Sequence, residues 1–252
     1  MSYIKKGRIV MPALLSRAAL KFKNKTYSLE EDIELLDVLS NVSYKSFVIF
    51  NKVNPEKHSR LSHRKNNPQT RRIVIRHFIH TMYGSFIKDL YEELTLYLKE
   101  LVYEAAIIAK DEKKANRLIG DSSIPSYNVK EILQYKNLNE LIQNIANNIV
   151  QSLENERSTK ELIKKICNKL DLKVEKHYID EALPYLELRH KLVHADGKAD
   201  YCFKRDFPSI KVNEKDRIIL NYTVVTEAKE AITRLVNEID REAIAKGILK
   251  PN

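Results

Sequence analysis

From Arg71 to Ala109 the chain runs without a proline. Within it Ile87, Leu90, Leu94, Leu98, Leu101 and Ala105 recur at helical spacing, while Glu92, Glu93, Lys99 and Glu100 take other faces. At ~1.5 Å per residue, an unbroken helix over this stretch reaches about 60 Å, provided Gly84 does not interrupt it. A helix of that length has an apolar stripe that no single neighbour covers. It needs partners along its whole length, which predicts a helical bundle.

The partners are visible further along. Leu138, Ile142, Ile145, Ile149 and Leu153 form a second stripe. Ser158-Thr159-Lys160-Glu161 has the capping-box pattern and opens a third, Leu162, Ile163, Ile166 and Leu170. A fourth helical stretch starts near Tyr178, with Pro184 kinking it or starting it afresh. The last holds Ala228, Ile232, Leu235, Ile239 and Ala243, closed by Gly247. Gly120 to Ser126 reads as a loop, and Arg217 to Tyr222 as a short strand. Near the start, Ser28-Leu29-Glu30-Glu31 predicts a capped helix from Leu29, with Leu35, Leu39 and Val42 on its apolar side. Thr70 is the expected N-cap of the long helix. With only five glycines and seven prolines, a turn-dense β fold is excluded. The expectation is an all-α bundle with a long helix and little or no sheet. It divides into a basic N-terminal segment with one helix (1–57), a basic loop (58–70) and a helical domain (71–252).

The charge is one-sided. Residues 1–88 hold 17 Lys and Arg against 6 Asp and Glu, so this third carries all of the net +10. The first 27 residues have seven basic side chains and no acidic one, and read as a short docked helix or an arm ordered by a partner. No acidic residue occurs from Lys57 to Lys88 either. Such a field attracts polyanions, nucleic acid above all, although a solvated basic face gives the same composition. Arg60, Arg64, Lys65, Arg71, Arg72 and Arg76 are the expected phosphate contacts, because phosphate binding needs charge and reach more than fixed geometry. No apolar run is long enough to span a membrane, and Arg17 and Lys21 interrupt any secretory apolar region. Cys167 and Cys202 match no metal spacing and suit reduced thiols in a cytoplasmic protein.

Several kinds of site are missing. The glycines are isolated, so no phosphate loop exists, and there is no His-Glu-x-x-His, Cys-x-x-Cys or Gly-x-Ser-x-Gly pattern. No metal or cofactor is expected. His58, His63 and His177 read as surface residues. Arg72 and His77, with His80, are spaced like a site but flanked by Ile73, Val74, Ile75, Phe78 and Ile79, which favours a helix with one basic face. The densest chemistry is Leu188-Arg189-His190-Lys191-Leu192-Val193-His194-Ala195-Asp196-Gly197. RNA is cut without a metal when a base takes the 2′-hydroxyl proton, that oxygen attacks phosphorus, and an acid protonates the leaving 5′-oxygen. Histidine suits either proton role, and arginine suits the phosphate. His190 and His194 share a helix face. Arg189 and His194 are five positions apart, ~140° around an ideal helix, so one copy of the pair diverges. Taken alone, the stretch reads better as a basic helix terminus ended by Gly197.

Arg189, a polar second residue in His190, three further residues and then His194, late in an all-α bundle, resemble the R-x4-6-H signature of the HEPN superfamily (higher eukaryotes and prokaryotes nucleotide-binding). The continuation His194-Ala195-Asp196-Gly197 is similar to that of many bacterial members, and the likeness covers roughly Thr70 to Gly247. It implies a metal-independent endoribonuclease that works as a homodimer with two motifs in one composite cleft. Such enzymes occur as toxins, in abortive-infection and antiphage systems, and as CRISPR effectors. The resemblance makes Arg189, His194 and His190 the catalytic group; Lys191 between them is read as facing solvent or an RNA phosphate. An antitoxin or a larger defence complex is an implied partner. Members controlled by a nucleotidyltransferase antitoxin have tyrosine two residues after the histidine, where this chain has Asp196, so that control is not implied. The other expectation is a non-catalytic member that binds nucleic acid, a nucleotide or a partner.

Overall fold

The computed structural model describes residues 14–45, 48–108, 128–154 and 159–252. Their elements are α1 (Arg17–Lys45), α2 (Val48–Asn51), α3 (Ser59–Ser62), α4 (Pro68–Ile108) and α5 (Val129–Ile132). The order continues with α6 (Leu138–Glu154), α7 (Thr159–Lys169), α8 (Lys176–His194), α9 (Tyr201–Asp206) and α10 (Tyr222–Ala245). The described chain is all-α, and its β pairings are isolated bridges. No described helix is long and apolar enough to cross a membrane.

Helix α4 is the axis, 41 residues long and continuous through Gly84. A Cβ at Gly84 would stand 3.7 Å from Leu220 Cδ1, an ordinary contact, so this glycine causes no break. The expected stripe from Ile87 to Ala105 is buried, whereas the turns before Tyr83 hold no fully buried side chain, with Ile79 and Met82 packed on the edge of the core. Asn67, not Thr70, caps the helix. Its side-chain oxygen accepts the Gln69 and Thr70 amides at 2.9 and 3.3 Å, and Pro68 fits the first turn, where a missing N–H costs nothing. Residues 58–70, expected as a loop, hold α3 and the first residues of α4.

Helices α1, α6, α8 and α10 pack around α4. In α6 Ile142 and Ile149 are buried; in α7 Leu162, Ile163 and Ile166, with Leu170 just after it; in α10 Ala228, Ile232, Leu235, Ile239 and Ala243. They belong to the stripes read from the sequence; Ile145 is half-buried, and the Leu153 side chain is not among those described. Leu138 is exposed at the start of α6. Ser158 and the Gly120–Ser126 stretch lie outside the described residues. Pro184 sits inside α8 without ending it. Gly247 closes α10 at φ +69°, and the Ile248 amide reaches back to the Ala243 carbonyl at 2.9 Å.

Helix α1 departs most from expectation. Ser28 is mid-helix and donates to the Lys25 carbonyl instead of capping. The cap is Ser16, whose hydroxyl accepts the Ala19 amide at 3.1 Å. Ser16 is itself held by Asp240 of α10, a fully buried carboxylate that takes both the Ser16 amide and hydroxyl and the Tyr97 hydroxyl. Burial beside that carboxylate holds the Tyr97 phenol well above its usual pKa. Because the helix begins so early, its docking face is Ala18, Ala19, Phe22, Ile33 and Leu36, while Leu35 and Leu39 are exposed. The Val42 side chain is not among those described. Residues 17–27 are thus the docked first turns of a longer helix, and one apolar core includes residues on both sides of position 57. Leu15 accepts the Asn252 amide, and Ser16 bridges Pro251, so the two ends of the described chain are clasped.

Arg217–Tyr222 is not a strand. Arg217 pairs singly with Lys198 and Ile218 with Val212, while Ile218 and Leu220 plug the core from an irregular segment. Cys167 is buried and Cys202 exposed, both as free thiols; burial pushes Cys167 up to about 12.

Candidate active site at the end of helix α8

Helix α8 is surrounded on three sides, by α4, α7 and α10. Ile179, Ala182, Leu186 and Leu188 fill those contacts. The open side in its last turns carries His190, Val193 and His194, which are exposed and related by three and four positions. The helix then ends tightly. The amides of Ala195 and Gly197 both donate to the Lys191 carbonyl at 3.0 Å, and Asp196 and Gly197 take positive φ of 51° and 69°. Gly197 accepts the Ile218 amide at 2.9 Å, and Arg217 pairs with the Asp196 carboxylate at 2.8 Å. The end of the motif is therefore stapled to the 217–218 segment.

Arg189 turns toward α4. Its guanidinium carbon lies 4.2 Å from the centroid of the Tyr91 ring, a cation–π distance. Its Nε is buried without a hydrogen-bond partner. A buried arginine N–H is normally paired, so this Nε is an unsatisfied donor beside the Tyr91 ring. On the open side the His190 and His194 rings stack with centroids 4.7 Å apart and planes tilted by 44°. Partial burial, aided by the charges of His194, Lys191 and Arg189, pulls the His190 imidazole below its usual pKa. Neutral imidazole is the form that accepts a proton.

Lys191 is committed elsewhere. Its ammonium contacts the Asp200 carboxylate at 2.5 Å, and Asp200 also caps α9 by accepting the Phe203 amide at 2.8 Å. The Lys191 hydrogen bond and then the Phe203 amide hold Asp200 below the usual carboxylate range. One turn before His190, burial raises the Glu187 carboxyl, partly offset by Lys191.

Arg189, His190 and His194 are thus gathered at one helix end, but no hydrogen bond or ring contact joins Arg189 to His194. The expected ~140° divergence is realised: the arginine faces α4 and the histidines face outward. The other expected contacts lie elsewhere. Arg71 donates to the Lys65 carbonyl at 2.9 Å and stands over the Phe50 ring, binding the 58–71 corner together. Arg60, Arg64, Arg72 and Arg76 are exposed and Lys65 half-buried. Arg76 is 15 residues before Tyr91, about 22 Å along α4 from the ring that Arg189 meets, but one turn from His80, which lies against Gly197 at the motif's end. Sequence reasoning misses Tyr91, Glu187, Asp200 and Arg217. Only Asp200 has a local signal, as a capping residue three before Phe203. Among the described residues no three His, Cys, Asp or Glu side chains converge as metal ligands.

No family model matches the chain, and neither a curated protein nor a solved structure does.

Proposed function

We propose that this chain is an endoribonuclease of the HEPN type, cutting RNA by 2′-hydroxyl attack in a cleft shared by two copies. The observation that carries the reading is the arginine set on an aromatic face with its Nε unpaired, next to a stacked histidine pair whose first member is biased neutral. In this reading His194 moves the proton and His190 packs against it, orienting the ring. A base takes the 2′-hydroxyl proton, O2′ bonds to phosphorus, the P–O5′ bond breaks, and an acid returns a proton to O5′. The products are a 2′,3′-cyclic phosphate and a 5′-hydroxyl. Arg189 holds the non-bridging oxygens while charge develops on them. Because Arg189 and His194 of one copy face apart, the second copy supplies the opposing groups. Cellular RNA in the cytoplasm is the substrate, and a toxin or antiphage role fits such an activity, with an antitoxin or a defence complex as regulating partner.

The test is RNA cleavage in excess EDTA by the wild type beside His194→Ala and Arg189→Ala. The reading expects cutting by the wild type alone. Cutting that persists in both variants, or that stops in EDTA, removes the mechanism. A second reading, a non-catalytic nucleic-acid-binding module, draws on the same divergence of Arg189 and His194 within one copy. It expects salt-sensitive RNA binding that survives His194→Ala, with no cutting under any condition.

A further inference from the structure

Just beyond the end of α8, the exposed start of α4 and the 213–220 segment form an open cleft of about 460 Å³. Arg76, His77 and His80 line one wall, and Asn213 and Arg217 the other. No carboxylate is among the lining residues. Arg76 has no ion pair among the described residues, and the His77 ring has no hydrogen-bond partner among them. Arg217 spends Nη1 and Nη2 on Asp196 and is still 44% exposed. His80 donates through Nε2 to the Ile218 carbonyl at 3.3 Å, which ties the two walls together. Two exposed isoleucines, Ile73 and Ile219, line the cleft as well.

Cations on both walls beside exposed aliphatic side chains match one nucleotide of a single strand, with its phosphate on the arginines and its base on the isoleucines. The cleft is also continuous with the motif. A Cβ at Gly197 would stand 3.8 Å from His80 Cε1, and three residues of chain keep Gly197 within ~11 Å of His194. The geometry points to this cleft as a subsite for single-stranded RNA, holding the strand beside the helix end that carries His190 and His194. The assignment rests on the chain acting on RNA, and not on whether it cuts it.

Binding is read by fluorescence anisotropy of a labelled 12-nucleotide oligouridine, in a His194→Ala background so that cleavage does not intervene. Adding Arg76→Gln with His77→Gln weakens binding roughly tenfold and flattens the dependence of log K on log salt by about 0.7. Both side chains are exposed, so the fold is kept, as an unchanged melting curve verifies. An affinity and slope equal to the background's overturn the subsite. So does displacement of the oligouridine by inorganic tripolyphosphate at equal phosphate concentration, since that marks a site for any polyanion. If the variant loses binding while the wild type cuts no RNA, the subsite stands and the ribonuclease reading falls.

Discussion

The guanidinium of Arg189 and the ring of Tyr91 meet across 98 positions of sequence, 4.2 Å from carbon to centroid. The pair holds a mobile side chain in one place, which is what a transition-state contact requires.

Tyr91→Leu removes the aromatic face, and RNA cleavage per enzyme is expected to fall roughly tenfold, in line with a cation–π contact of about 1–2 kcal/mol. Tyr91→Phe keeps the face and should restore the rate. A loss equally large in both variants would show that the phenol, and not the ring, matters. Steady-state kcat/KM on a short RNA decides between them.

For His190 the pKa is lowered in the folded chain. As pH falls below the ordinary histidine range, the unfolded chain takes up a proton that the folded chain still resists, so this contribution to stability is lost there and is present above it. The imidazole NMR titration of His190 is expected to have its midpoint below about 6.5, the free value. Lys191→Gln removes one of the causes and should move that midpoint upward. A midpoint that stays put would mean that burial and the charges of His194 and Arg189 set it without Lys191.

Ser16→Ala deletes the cap of α1 and one partner of buried Asp240. The cost expected is about 1–2 kcal/mol, a fall in Tm of roughly 2–6 °C for a chain of this size. Asp240→Ala strands the Ser16 and Tyr97 groups together and should cost more than Ser16→Ala. Calorimetric melts of the two variants test the order.

Gly197→Ala meets only ordinary contacts, 3.5 Å to Leu192 and 3.8 Å to His80, but at φ +69°. The backbone penalty of about 1–2 kcal/mol is therefore the whole expected effect. Urea unfolding should show it as a lower midpoint with an unchanged slope.

What can be read from the sequence follows interaction range. The stripes of α4, α7 and α10 are periodic, and periodicity is local, so Ile87 to Ala105 and Ala228 to Ala243 are legible from residue spacing alone. Caps are less so. Ser28 and Thr70 have the right side chains, but helices already under way pass through them, because Ser16 is fixed by a carboxylate 224 residues away and Asn67 takes the turn first. At the candidate site Arg189, His190 and His194 are visible in the sequence, and so is their angular separation. Tyr91 and Arg217 are not, and Asp200 is visible only as a cap, since each becomes a partner of the site only when α4, α9 and the 217–218 segment are folded against α8.

The clasp between residues 14–16 and the far end of the chain also orders events during synthesis. Helix α1 leaves the ribosome before the other described helices, yet Asp240, which fixes its start, follows Ser16 by 224 residues. Until then its apolar face at Ala18, Ala19 and Phe22 has no α10 to rest on. Helix α1 has α4 to settle on as soon as that helix has emerged, and only its first turn waits for Asp240.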